Sequence, residues 1–186
     1  MKLSLCSEVI RDLSFAQQCD FAAKLGYDAL EIAPFTLAED PRDLGPGDVA
    51  ALRRSLSDAG IVCSSLHWLL VSPEGLSVTS EDAEVHDRTV SVMRRLVELA
   101  GELGADVLVH GSPKQRHLPD GREAEARAQA VGCFAAAAEA AASAGVVYCV
   151  EPLASTETNF VNTVEDAAAL LDEIGSPALR TMVDCA

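Results

Sequence analysis

Gly145-Val146-Val147-Tyr148-Cys149-Val150-Glu151-Pro152 is the stretch whose reading decides the fold. Five apolar or weakly polar residues after a glycine predict a buried parallel strand, a costly place for an ionisable side chain unless a partner waits there. Pro152 cannot donate to a sheet ladder and disfavours a helical residue before it, so it ends the strand with Glu151 at its C-terminal mouth. The carboxylate is expected to face a pocket.

Outward from this stretch the same punctuation recurs: an amphipathic helix, a glycine, a short apolar strand, then a polar or ionisable residue. The glycines Gly26, Gly60, Gly104, Gly145 and Gly175 lie 34, 44, 41 and 30 residues apart. Strands alternating with helices at this interval predict βαβ units and a parallel sheet. The expected strands are Leu3 to Cys6, Ala29 to Ile32, Ile61 to Leu66, Val107 to Val109, Val146 to Val150 and Thr181 to Asp184. Between them, Ser14 with Gln17 forms a capping box, and Ser80 is the expected N-cap of a long helix carrying Val85, Thr89, Val92, Leu96, Leu99 and Leu103 at helical spacing. An alanine-rich helix from about Glu123 to Ala144 should turn Val131, Phe134 and Ala138 inward, and Thr163 with Asp166 opens the last helix.

The totals bound the function. A chain of 186 residues with 49% hydrophobic residues is about one domain with material for a large core. No apolar run reaches the roughly 18 residues of a membrane span and no secretory leader is visible, so the expectation is a cytoplasmic protein without a membrane partner. Fourteen Lys and Arg against 29 Asp and Glu leave a net charge of −15, which repels nucleic acid. The six cysteines, at 6, 19, 63, 133, 149 and 185, form no CxxC pair and read as reduced, buried thiols.

Six strands and five helices fit an α/β fold of the (β/α)8 TIM-barrel kind, of which residues 1–186 supply about the first six units; the domain is expected to be incomplete at its C-terminus, two units short of the ~250 residues of such a barrel. In a parallel barrel the strand ends converge on one rim. One residue from each end gives Glu31, His67, His110, Glu151 and Asp184, a set of carboxylates and imidazoles suited to a divalent metal. Trp68 could offer an apolar wall to a sugar face, with plain packing as an equal alternative, and Lys114 and Arg116 could hold an anionic substrate group, with solvated loop charges as the plainer alternative.

The series Gly26-Tyr27-Asp28-Ala29-Leu30-Glu31, Ser65-Leu66-His67, Val109-His110-Gly111-Ser112, Val150-Glu151-Pro152-Leu153 with Glu157-Thr158-Asn159, and Met182-Val183-Asp184 resembles the sugar phosphate isomerase/epimerase family, the xylose isomerase-like TIM barrels. The resemblance implies Glu151 as a metal ligand and one of two catalytic carboxylates, and Asp184 as a second ligand. Further ligands, often His on strand seven and a Glu on strand eight that is also the second base, are implied beyond residue 186. Glu157 matches a substrate-contacting position, and His67 and His110 match pocket positions. The implied reaction is isomerisation or epimerisation of a sugar, sugar phosphate or related hydroxy-carbonyl compound by proton transfer through an enediolate. Mn²⁺ or Mg²⁺ is the first expectation for the metal, with Co²⁺ or Zn²⁺ next; the partner is a sugar-like small molecule, and a homo-oligomer fits as well. Two alternatives stand beside it. An endonuclease IV-like zinc phosphodiesterase would use His67, His110, Glu151 and Asp184 in a three-zinc cluster, against the acidic net charge, and a degenerate barrel would serve only in binding.

Overall fold

The computed structural model describes residues 2–184. Six strands alternate with five helices: β1 Ser4–Cys6, α1 Phe15–Lys24, β2 Ala29–Ile32, α2 Pro46–Ala59, β3 Val62–His67, α3 Ala83–Leu103, β4 Val107–His110, α4 Glu123–Ala144, β5 Val147–Val150, α5 Val164–Ile174 and β6 Leu179–Thr181. All neighbouring strands are parallel, and their order in the sheet is their order in the sequence. Among the described residues β1 and β6 are the edges of this sheet. Sequential parallel pairing sends every strand's C-terminal end to one rim, and that rim holds the site described below.

The helix starts follow from local chemistry. Ser14 Oγ accepts from the Gln17 amide at 3.4 Å while Gln17 Oε1 accepts from the Ser14 amide at 3.0 Å, and Thr163 and Asp166 make the same reciprocal pair for α5. Helix α3 departs from expectation. Its cap is Asp82, whose Oδ1 accepts from the amides of Glu84 and Val85, while Ser80 Oγ accepts from Asp82 one step earlier. A carboxylate at a helix N-terminus meets both the unsatisfied amides and the positive end of the macrodipole, so it outcompetes a hydroxyl two residues away.

The core lies between sheet and helices. Leu30, Ile32, Leu66, Leu108, Tyr148 and Val150 come from the strands, and Val92, Met93, Leu96, Leu99 and Ala100 from α3; all are fully buried. Each large apolar side chain here contributes about 1.5 to 3 kcal/mol relative to exposure. Helix α4 turns Ala126, Ala130, Cys133, Phe134, Ala137, Ala138 and Ala141 inward, whereas Val131 is only partly buried. Its small residues let α3 and α4 approach closely: the Ala144 Cβ stands 3.9 Å from where a side chain on Gly101 would begin. Cys6, Cys19, Cys63, Cys133 and Cys149 are free thiols; Cys185 lies outside the described residues.

Two departures in the sheet matter for function. The last strand runs Leu179–Thr181 rather than Thr181 to Asp184, because its register is set by Tyr148, Cys149 and Val150 of β5 facing Leu179, Arg180 and Thr181. Asp184 therefore lies beyond the strand end. Between β2 and β3 the register slips after Leu30, so that Glu31 faces Ser65 and Ser64 is left over. Such a bulge re-aims side chains beside a rim, and here it puts the Ser65 hydroxyl against the Glu31 carboxylate.

Candidate active site

A cavity of about 470 Å³ opens at the C-terminal ends of the strands, and Glu31, His67, Trp68, Gly111, Glu151, Glu157, Asn162 and Asp184 are among its lining residues. Residues separated by more than 150 positions in the chain thus share one cleft.

Glu151 leaves β5 with its amide donating to His110 O at 3.2 Å, which fixes the backbone that carries it. Its side chain occupies the space above Gly111. A Cβ on Gly111 would stand 2.0 Å from Glu151 Oε2, so glycine is required there for close approach rather than for a turn. Burial first, then the negative charge of Asp184, push the Glu151 carboxyl above its ordinary value; Arg116 pulls it back, and Glu157 and Glu31 add further repulsion. A half-buried carboxylate opposed by other carboxylates is a group whose ionised form calls for a cation, and the hard oxygen donors of Glu151 and Asp184 suit Mg²⁺ or Mn²⁺.

Arg116, one of the two loop cations expected to meet an anionic substrate group, stands behind the lining of the cleft. It is fully buried, and its Nε, Nη1 and Nη2 make no hydrogen bond among the described residues. Burial pushes it down to about 10, against the stabilising charges of Glu151 and Glu157. It remains a cation at neutral pH, held beside Glu151 and Glu157. The segment carrying it is tied to the loop after β5 by Asn159, whose side chain accepts from the Leu118 amide at 2.8 Å and donates to Leu118 O at 2.9 Å. Asn162 in turn donates to Leu153 O and Thr158 O, closing the loop that carries Glu157. Composition and spacing marked neither asparagine; two-ended side-chain amide bonding across a loop is visible only in three dimensions.

The β1–β3 side of the cleft is a local network. Glu31 accepts from Ser65 Oγ at 2.8 Å through Oε1 and from Cys6 Sγ at 3.1 Å through Oε2. His67 Nε2 lies 2.9 Å from a Glu8 carboxylate oxygen, and Nδ1 lies 3.9 Å from Glu31 Oε2. Trp68 follows with φ of 54°, a left-handed conformation unfavourable for a bulky residue, and 43% of it is exposed. The chain turns there so that the indole stands at the cleft mouth instead of joining the core.

Two expected members are elsewhere. His110 is fully buried; its Nδ1 is hydrogen-bonded to the Tyr148 hydroxyl at 2.8 Å, and its ring meets Phe134 of α4 edge-on at 5.0 Å. Strand alternation is the cause: Val109 reaches the cleft lining, so the next side chain is on the helix side. Burial, and secondarily Arg116, push the imidazole down to about 3, and it is neutral. Lys114, exposed on the 3-10 turn Lys114–Arg116, is not among the lining residues; its long charged side chain is hydrated outside while Arg116, two positions on, turns in. Glu31, His67, Trp68, Glu151, Glu157 and Asp184 are brought to the cleft, and Arg116 stands behind it.

Among the described residues, no helix is long and apolar enough to cross a membrane. The family model of xylose isomerase-like TIM barrels matches residues 19–186. The D-psicose 3-epimerase of Agrobacterium fabrum is 24% identical over 176 residues, covering 91% of this chain and 57% of that protein. The L-ribulose 3-epimerase of Mesorhizobium japonicum is 28% identical over 163 residues, covering 86% of this chain and 50% of its own length. This chain thus spans about half the length of the curated relatives it matches. A crystal structure of a D-psicose 3-epimerase in the presence of D-fructose superposes with a TM-score of 0.81 at 21% identity, over 99% of this chain and 63% of that one. With sequential parallel strands, a rim cleft and a family match over nearly its whole length, the chain belongs to the xylose isomerase-like TIM barrels.

Proposed function

We propose that the protein is an epimerase or isomerase of a ketose or a closely related hydroxy-carbonyl compound, and that Glu151 moves the proton on one face of the reacting carbon. The observation that carries this reading is the placement of Glu151: a carboxylate at a strand end, over a glycine that leaves it room, in a cleft it shares with Asp184 and Glu157. The ketose 3-epimerases among its relatives support the substrate class. Glu151 and Asp184 would hold a divalent ion, with Mn²⁺ or Mg²⁺ preferred by their oxygen donors. When bound, the ion supplies positive charge that polarises a substrate carbonyl and makes the neighbouring C–H more acidic.

Glu151, pushed up by burial and by Asp184, is a better base than an ordinary carboxylate and takes a proton from carbon. Glu157 accepts a hydrogen bond from a substrate hydroxyl. Arg116 supplies fixed positive charge behind Glu151 and Glu157 and offsets their mutual repulsion. Trp68 covers the apolar face of the sugar ring or chain at the mouth. Epimerisation needs a proton-moving group on each face, and the second is expected from the strand-eight position of the family, beyond residue 186. The phosphodiesterase reading is disfavoured by His110, which faces Tyr148 and Phe134 rather than the cleft where a zinc cluster would form.

The test is deuterium uptake from solvent into D-psicose or L-ribulose with added Mn²⁺, using the protein as its gene encodes it. Glu151→Gln should reduce exchange by about two to four orders of magnitude. Equal exchange in both proteins would remove Glu151 from the role of base.

A further inference from the structure

We infer that Cys6, Glu31 and His67 form a second divalent-cation site, selective for zinc-like borderline ions, on the β1–β3 side of the same cleft. Cys6 Sγ, Glu31 Oε2 and the nearest His67 ring nitrogen all lie within 4.8 Å of one another. The sulfur stands 3.1 Å and the His67 Nδ1 3.9 Å from Glu31 Oε2. Tetrahedral zinc with bonds of about 2.0 to 2.3 Å sets its ligand atoms about 3.5 Å apart, so the two distances to Glu31 need shifts of only a few tenths of an ångström, and the sulfur and the ring nitrogen, within 4.8 Å of each other, make the larger movement.

The groups around the three ligands favour the same reading. His67 Nε2 lies 2.9 Å from a Glu8 carboxylate oxygen, which leaves Nδ1 as the ring nitrogen on the side of Glu31. A carboxylate that orients a histidine through its far nitrogen is the usual support for a zinc ligand. Glu31 is likewise held through its other oxygen by Ser65, an arrangement the register slip between β2 and β3 creates. Thiolate, carboxylate and neutral imidazole carry two negative charges, which a divalent ion neutralises in a half-buried place. On binding, the S–H proton now shared with Glu31 is released to solvent and a sulfur–metal bond replaces it. Glu31 and His67 both line the cleft, so with three protein ligands the ion's fourth position faces the substrate space. This donor set contains sulfur and nitrogen, whereas Glu151 and Asp184 offer only oxygen, and the two sites are thereby distinguishable.

Titration of the metal-free protein with Co²⁺ reads the difference. A thiolate ligand gives an intense near-ultraviolet sulfur-to-cobalt charge-transfer band, and oxygen ligands give none. The wild-type chain and Glu151→Gln should both develop the band at saturation, and Cys6→Ser should lack it. X-ray absorption on the wild-type zinc protein, which needs no variant, should report sulfur at about 2.3 Å. No band and no sulfur shell in the saturated wild-type protein, or a band that survives Cys6→Ser, would overturn the proposal. Because Glu151→Gln keeps the band whatever it does to deuterium exchange, loss of this site and loss of the epimerase reading give separate signatures.

Discussion

The two sides of the cleft treat their polar groups in opposite ways. On the β1–β3 side each is answered within the chain: Glu31 by Ser65 and Cys6, and His67 by Glu8. On the β4–β5 side Arg116 is buried with three nitrogens unbonded among the described residues, and Glu151 sits half-buried among other carboxylates. Buried polar groups are bonded in most proteins, and an unbonded one costs about 1 to 3 kcal/mol. The first side is therefore a preorganised cradle and the second a charged surface whose groups are completed by what binds. Groups that must change partners or protonation during a reaction belong on the second.

The largest expected effect that sharpens this contrast comes from Gly111→Ala. The new Cβ would occupy the place of Glu151 Oε2, and since that atom ends a flexible side chain the carboxylate swings aside with little loss of fold. Misplacing the base by about 1 Å should lower kcat about a hundredfold while the denaturation midpoint barely moves. A midpoint collapse instead would place the glycine in the core, not the site.

Next comes a matched pair. Arg116→Met replaces a buried, unbonded cation by an apolar chain of similar reach, so relief of its unsatisfied donors, worth about 1 to 3 kcal/mol, should offset the lost attraction to Glu151 and Glu157 and leave stability unchanged or raised, while KM for a ketose rises. Ser65→Ala on the other side removes a made hydrogen bond to a carboxylate and should lower stability by about 1 kcal/mol. Urea denaturation of both variants breaks the comparison if the signs are reversed.

The last effect is a pH dependence. In the unfolded chain His110 takes up a proton near its ordinary value of about 6.5, whereas the folded chain holds it down to about 3. Below about pH 6.5 the unfolded state therefore binds one more proton, and folding stability falls by about 1.4 kcal/mol for each pH unit until the folded value is reached. His110→Gln should lose this contribution, flattening the slope of stability against pH by one proton between about pH 6 and pH 4. An unchanged slope would mean that the imidazole titrates normally and reaches solvent.

Much of the fold was legible because local chemistry and global pattern agree. The Ser14 and Thr163 capping boxes, the left-handed glycine after α2 and the glycine-strand-acid pattern of β5 each follow from a few neighbouring residues. The candidate site was legible to the same depth, since a carboxylate between an apolar strand and Pro152 has few other places to go. What was not legible depends on parity and register. His110 was expected in the cleft beside Glu151, but one step along β4 decides the face, and Val109 holds the inward place. The bulge at Ser64 has no glycine or proline to announce it, yet it sets Ser65 against Glu31. Cys6 looked like a small core hydrophobe; only the pairing of β1 with β2, which sets it against Glu31, gives its sulfur a carboxylate neighbour.

The central claim, that Glu151 and Asp184 grip one ion at a shared rim, is tested most directly by a crystal structure of the metal-soaked protein with Mn²⁺ located from its anomalous scattering. The account predicts a peak within about 2.1 to 2.3 Å of an oxygen of each carboxylate. A fully occupied ion bound to only one of them, or to neither, would contradict it.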